Sequence, residues 1–275
     1  MQGAPSRTAF RVADRRAAHQ LLDWPLVFED PLAVRIVGGA ANTSESPMAR
    51  ALRAFVAVRS RFAEDRLINA VSRGVQQYVL LGAGLDTFAY RNRPAVRVFE
   101  VDHPATQSWK RELLEEAGIA PPDTARFVAV DFEHDDLAKR LVEAGFDLHE
   151  AAFFSWLGVT PYLTREAFDE TLGFLRSTAR ESGVAFDWCV EPSMLNDMER
   201  MAVEALAARV AAAGEPFRLF FQPEDLEASL RAAGFDSIET LGRDEINARY
   251  FADRSDGLHV PGAAGRLSCA MKTGC

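Results

Sequence analysis

Two glycines and an acid stand close together in "QYVLLGAGLDTFAYR", the stretch from Gln77 to Arg91. Gly82 and Gly84 follow a short apolar run, where a backbone without side chains lets a ligand approach closely. The next apolar run, "VRVFEVD", closes on Glu100 and Asp102. An acid about twenty residues beyond such a glycine turn accepts hydrogen bonds from the hydroxyls of a ribose. Two ligand classes then compete. A dinucleotide wants a small residue three positions past the second glycine, so that a helix N-terminus meets pyrophosphate. Thr87 occupies that position, with Asp86 just before it. A carboxylate there repels pyrophosphate but suits the ammonium and sulfonium of S-adenosylmethionine, so the reading favours the methyl donor. Asp131 ends a third run, "FVAVDFE", where an adenine amino group would lie, and Phe132 would cover the base. An NAD(P)-dependent oxidoreductase and a non-catalytic cofactor-binding or scaffold protein remain the alternatives.

The elements that position these residues alternate. Apolar runs "QYVLLG", "VRVFEVD", "ARFVAVD", "AAFFSWLGV" and "GVAFDWCVE" are separated by helical stretches such as "ATQSWKRELLEEAG" and "TREAFDETLGFLRSTARESG". Continuous apolar strands between helices predict a parallel sheet covered on both faces. "DSIETLG" and "RLSCAMK" follow, joined by a polar loop from Arg243 to Gly265, and a last strand without a crossover helix pairs antiparallel. The prediction is an α/β, Rossmann-like open sheet, mostly parallel with an antiparallel terminal hairpin, its ligand at the carboxyl ends of the strands. Residues 1–74 read as a helical N-terminal extension and 75–275 as the sheet domain. In "SPMARALRAFVAVRSRFAEDRLINAVSRG", Ser46 caps a helix, Pro47 opens it and Gly74 closes it. Leu52, Phe55, Val56, Phe62 and Leu67 form its buried stripe. A Met-rich helical insertion at about 191–221 is placed as a lid.

The 275 residues are 48% apolar with a net charge of −9, an ordinary globular composition that argues against nucleic acid as a partner. Cys189, Cys269 and Cys275 lie far apart and without metal spacing, which reads as reduced thiols. No membrane-length apolar run or signal segment is visible, so no membrane partner and a cytoplasmic location are expected.

Taken together, "LLGAGLDTFAYR", "VFEVDHP" with Lys110 soon after, "AVDFE" and "SWLGVTPYLT" resemble the leucine carboxyl methyltransferase-like family. The likeness is closer to its bacterial branch of S-adenosylmethionine-dependent O-methyltransferases. It runs from "SRTAFRVADRRAAHQ" and "EDPLA" to at least Tyr162, with further similarity in "RYFADRSDGL". The resemblance implies a class I methyltransferase fold. By its positions, Gly82 and Gly84 line the methionine end of the cofactor, with Asp86 in the same turn. Asp102 or Glu100 takes the ribose, and Asp131 and Phe132 hold the adenine. Arg59, with Arg61 as its neighbour, clamps the cofactor carboxylate, aided by Arg16. Eukaryotic members carry a Glu ahead of the Tyr; here Ser155 and Trp156 stand instead, which favours a small-molecule acceptor over a protein C-terminal leucine.

Methyl transfer is an in-line displacement in which alignment does most of the work. A carboxylate acceptor is already ionised at neutral pH, whereas a hydroxyl needs a base. Candidate bases are His19, His103 and His259, with Tyr162 as a further catalytic candidate, and none compels. Tyr162, Trp156, Met194, Met198 and Phe220 are candidates for an apolar acceptor wall, with Arg249 or Tyr250 as a polar hook. Such a wall suits a bulky or aromatic acid of the polyketide kind, as secondary metabolism would supply.

Overall fold

The apolar runs become strands. The computed structural model describes residues 6–39, 41–91, 96–132, 134–212 and 214–273. Three helices come first: α1 (Arg7–Leu22), α2 (Pro31–Ile36) and α3 (Pro47–Val71). Then follow β1 (Gln77–Leu81), β2 (Arg97–Asp102), α4 (Pro104–Glu116), β3 (Ala125–Ala129), α5 (Leu137–Glu143), β4 (Ala152–Trp156), α6 (Arg165–Ser177) and β5 (Gly183–Cys189). The chain ends with α7 (Asp197–Ala212), α8 (Pro223–Ala232), β6 (Ser237–Leu241), α9 (Arg243–Tyr250) and β7 (Gly265–Met271).

The seven strands form one sheet in the order β3-β2-β1-β4-β5-β7-β6. β1 pairs in parallel with β2 on one side and β4 on the other, Val79 standing beside both Phe99 and Phe154. The direction of winding therefore reverses between β1 and β4, and the crevice beyond their carboxyl ends is where such sheets hold ligands. β7 runs antiparallel to both β5 and β6. This is the α/β class I methyltransferase arrangement, as the sequence predicts.

Two connections depart from a simple alternation of strands with helices and loops. Between β1 and β2 the described residues hold only a 3-10 turn, Phe88–Tyr90, and no α-helix. Asp86 Oδ1 accepts from Phe88 N at 2.7 Å and turns the chain at once. The polar segment from Arg243 onward is not all loop: α9 forms there, with Glu245 Oε2 accepting from Gly242 N at 3.0 Å. β7 stays antiparallel despite that helix.

α3 is capped as read, Ser46 Oγ accepting from Ala49 N at 3.2 Å, and it ends at Val71, three residues before Gly74. Val56, Phe62 and Leu67 are buried, while Leu52 and Phe55 are half-buried. Ala54, Ala57, Val58, Phe62 and Leu67 share one apolar cluster with Tyr78 and Leu80 of β1 and Ala185 of β5, so α3 covers one face of the sheet. On the other face Phe154, Phe168, Leu172 and Phe235 pack in a second cluster. The segment 191–221 leaves the sheet at Val190 and returns at Phe221, two residues joined by an isolated parallel bridge. Its α7 buries only Val210. Cys189 and Cys269 are free thiols, both pushed up to about 12 by burial, and Cys275 lies outside the described residues. Among the described residues, no helix is long and apolar enough to cross a membrane, and no group of side chains is placed to hold a metal.

Candidate active site

A cavity of about 640 Å³ opens over the carboxyl ends of β1, β2 and β4. Its floor is the glycine turn. Gly82 has φ +74° and Gly84 φ +47°, values that favour glycine. A Cβ on Gly82 would come within 2.4 Å of Val159 Cγ2, so the turn and the β4 exit touch with no room for a side chain.

Asp102 joins the first two strand ends. Its Oδ2 accepts from Gly84 N at 2.6 Å and its Oδ1 from His103 N at 2.7 Å. Burial pushes its carboxyl above the ordinary Asp value, and the two backbone donors only partly offset that. Glu100, the alternative ribose acid, is placed elsewhere. It is fully buried, 2.8 Å from Lys110 Nζ and 2.8 Å from the Tyr90 hydroxyl that donates to it, and it does not line the cavity. Asp102 alone of the two lines the cavity.

Asp86 and Arg16 both line the cavity and are locked to each other, Arg16 Nη1 donating to Asp86 Oδ2 at 2.8 Å. Burial would raise the Asp86 carboxyl, but Arg16, Arg91 and Lys110 outweigh it and hold it below its ordinary value. Arg16 also donates from Nη2 to Leu85 O at 2.5 Å and sets Nε 3.4 Å from Asp30 Oδ2, which makes it a brace of the turn. With Asp86 compensated, its repulsion of pyrophosphate is weaker than the sequence suggests. The 3-10 turn supplies a further argument, because among the described residues the glycines do not lead into an α-helix whose N-terminus would meet a pyrophosphate.

Arg59 is buried on α3, lines the cavity and pairs with Asp187 of β5, Nη1 to Oδ2 3.0 Å. Arg61 instead pairs with Asp65 at an exposed position. Asp131 and Phe132 line the far end, where His134 Nδ1 lies 2.9 Å from Asp131 Oδ2. Ser155 is buried and also lines the cavity. So does Tyr162, whose hydroxyl is pushed up to about 12 by burial against the pull of Arg59, and which therefore stays protonated at neutral pH.

Several sequence candidates fall away from the cavity. His19 is wholly buried, its Nδ1 2.7 Å from Asp23 Oδ2 and its Nε2 accepting from Val27 N and Phe28 N. It ties α1 to the following loop and cannot act as a base on an acceptor. His259 is exposed beside Gly257 O. His103 lines the cavity, but its Nδ1 caps α4 by accepting from Ala105 N at 3.2 Å. Tyr250 packs against the α3 cluster and Arg249 pairs with Glu239, both on α9 and outside the cavity lining. Trp156 is stacked on Phe168 in the core, Phe220 is half-buried beside Phe217, and Met194 and Met198 are exposed to solvent. The segment 191–221 supplies other residues, Gly214, Glu215, Pro216 and Arg218. Glu215 accepts from Ser6 Oγ at 2.9 Å and from Thr8 Oγ1. Asp187, His134, Glu215 and Arg218 carry no sequence motif. An acid inside the otherwise apolar run "GVAFDWCVE" was the one signal that could have marked Asp187.

The residues present fit an adenosyl ligand. A bare-backbone floor, an acid at the β2 end, an acid and aromatic at the β3 end and a buried guanidinium nitrogen without a partner, Arg59 Nε, converge on one space. Fold and site together define a class I, S-adenosyl-L-methionine-dependent methyltransferase, and the comparisons agree. Residues 9–176 match the family model described as leucine carboxyl methyltransferase. The chain is 36% identical over 204 residues to YktD of Bacillus subtilis (strain 168), a candidate S-adenosyl-L-methionine-dependent methyltransferase, covering 73% of this chain and 67% of that one. Among solved structures, a candidate methyltransferase of Thermobifida fusca YX superposes with a TM-score of 0.60 at 18% identity, covering 99% of this chain and 97% of that one. Magnesium protoporphyrin IX methyltransferase of Synechocystis PCC 6803 gives 0.50 at 12% identity, covering 94% and 99%. The chain belongs to the leucine carboxyl methyltransferase family.

Proposed function

We propose that the protein transfers a methyl group from S-adenosylmethionine to an oxygen of a small molecule, with a carboxylate as the acceptor group. The observation that carries the choice of carboxylate is the absence of a base at the acceptor end, among the described residues. His103 is committed as a helix cap, and His134 stands with Asp131 at the far end of the cavity, which the adenine takes in this reading. Glu215 is bonded to Ser6 and Thr8, and Tyr162 holds its proton. A carboxylate needs no such base, since it is ionised at neutral pH.

In this reading the bound cofactor supplies an electrophilic methyl group on sulfur. Gly82 and Gly84 give the backbone clearance for its methionine portion. Asp102 accepts from the ribose, with Ser155 nearby at the β4 end, and Asp131 and Phe132 hold the adenine. Arg59 takes the carboxylate, and Arg16 acts through Asp86 by bracing the turn. Alignment within a closed site of this kind is worth roughly 7–11 kcal/mol. Tyr162 and Arg218 stand at the lid side of the cavity, where the acceptor would enter.

The test is calorimetric titration with S-adenosylhomocysteine beside NADH, followed by a methyl-transfer assay on a panel of carboxylic acids and phenols. Products are treated with mild base. Binding of S-adenosylhomocysteine and base-released methanol from an acid support the reading. Base-stable methyl ethers formed only from phenols overturn the carboxylate choice.

A further inference from the structure

β5 contributes the residue that completes the cofactor clamp. Asp187 lies inside an apolar strand, 4% exposed, among Val184, Ala185, Phe186 and Trp188. A carboxylate persists in such surroundings only with committed partners. Its oxygens have one each. Oδ2 pairs with Arg59 Nη1 at 3.0 Å, and Oδ1 accepts from Gly158 N at 2.5 Å. Gly158 in turn has φ +70°, and a Cβ there would come within 2.6 Å of Arg59 Nη2. The guanidinium is therefore gripped from two sides, by an anion at Nη1 and by a bare backbone against its Nη1–Nη2 end. Nε is buried without a partner, and the side chain lines the cavity. What remains on offer is the Nε–Nη2 edge, two parallel N–H groups that match the two oxygens of a carboxylate.

We propose that Asp187 is a positioning residue: it fixes the Arg59 guanidinium so that its Nε–Nη2 edge meets the carboxylate of the cofactor's methionine portion. The inference rests on the assignment of Arg59 made above. It makes Asp187 necessary for one part of the ligand and irrelevant to the rest. The pair also keeps this corner neutral overall, which suits a zwitterionic amino-acid head better than a lone cation would.

Two ligands separate the possibilities. S-Adenosylhomocysteine carries the amino-acid head; 5′-methylthioadenosine keeps the adenosine and thioether but lacks it. Asp187→Asn preserves size and the acceptor for Gly158 N while removing the charge. Titration of this variant should show S-adenosylhomocysteine weakened about ten-fold or more, with 5′-methylthioadenosine within about two-fold of wild type. Equal losses for both ligands, or none for either, overturn the proposal. Should Asp187→Asn alone fail to fold, Arg59→Gln and the Arg59→Gln/Asp187→Asn double variant decide instead. The double variant should bind S-adenosylhomocysteine no worse than Arg59→Gln, because the two residues act as one unit. A further ten-fold loss in the double variant overturns it. A wild-type protein that binds neither ligand overturns the cofactor reading itself, and this inference with it.

Discussion

The strand-end wall of the cavity and the wall supplied by the segment 191–221 are built on different terms. On the strand side nearly every polar group is committed before a ligand arrives. Arg16 holds Asp86 and Leu85 O, Asp102 is anchored by two backbone N–H groups, and Arg59 is paired with Asp187. In that segment α7 buries one residue and exposes Met198 and Met201, with Met194 exposed just ahead of it. Only the turn after α7 reaches the cavity. Fixed dipoles and charges that need no reorganisation are what positioning an invariant ligand requires. A loosely packed wall can change with the acceptor at little cost to the fold. Under the proposed function, the cofactor belongs to the rigid wall and acceptor choice to the other.

Substitutions on the strand wall should break it most severely. Gly82→Ala brings a Cβ against Val159 at a positive φ, combining backbone strain of about 1–2 kcal/mol with overpacking of about 1–3 kcal/mol. A clearly lowered melting temperature and no measurable S-adenosylhomocysteine binding are expected. An unchanged thermal melt with normal binding would remove the rigid-floor argument.

Asp102→Ala comes next, with S-adenosylhomocysteine weakened about ten- to a hundred-fold, the scale of losing charge-assisted hydrogen bonds. Its pH dependence has a definite sign. Burial raises the folded-state value of Asp102, so it takes up a proton at higher pH than an exposed Asp. Wild-type affinity should fall as pH drops through that raised value, and titrations of Asp102→Asn should lose this dependence. The contribution of Asp102 to folding runs the other way: it is fully present below the ordinary Asp value and is lost as pH rises through the folded one. Acid should therefore weaken binding in a range where this group does not weaken the fold.

Glu215→Ala cuts the bonds to Ser6 and Thr8. Stopped-flow release of S-adenosylhomocysteine should quicken by about ten-fold, the scale of losing one hydrogen bond to a charged group, roughly 1.5 kcal/mol. Met198→Ser and Met201→Ser should do least, within about 0.5 kcal/mol in stability, with cofactor affinity unaltered. A marked loss in either would mean that α7 packs on something the comparison leaves out.

The legibility of the sequence follows the same division. The five parallel strands were readable because a doubly covered sheet needs continuous apolar runs. Gly82, Asp102 and Asp131 were readable because strand ends fix their place. Glu100 was not separable from Asp102, since both occupy one strand face, and only the partners Lys110 and Tyr90 distinguish them. His19 looked free because its partner Asp23 and the N–H groups of Val27 and Phe28 meet it only once the loop folds back. The missing helix after β1 was hidden because Asp86 ends the turn by a side-chain bond that no periodicity records. Glu215 and Asp187 reach the site from more than a hundred residues beyond Arg59, and such pairings leave no local pattern.

The bonds from Ser6 and Thr8 to Glu215 have a practical side. The first turn of α1 is a wall of the cavity, and Ser6 N also donates to Thr106 Oγ1 at 3.2 Å. β7, by contrast, ends at Met271 beside Gly183, the entry of β5, at the end of the strands opposite the cavity. A purification tag or reporter fused ahead of Ser6 sits on the doorframe of the enzyme, while one fused behind β7 hangs from its back. Preparations that differ only in which end carries the tag will differ in how fast they let ligand go.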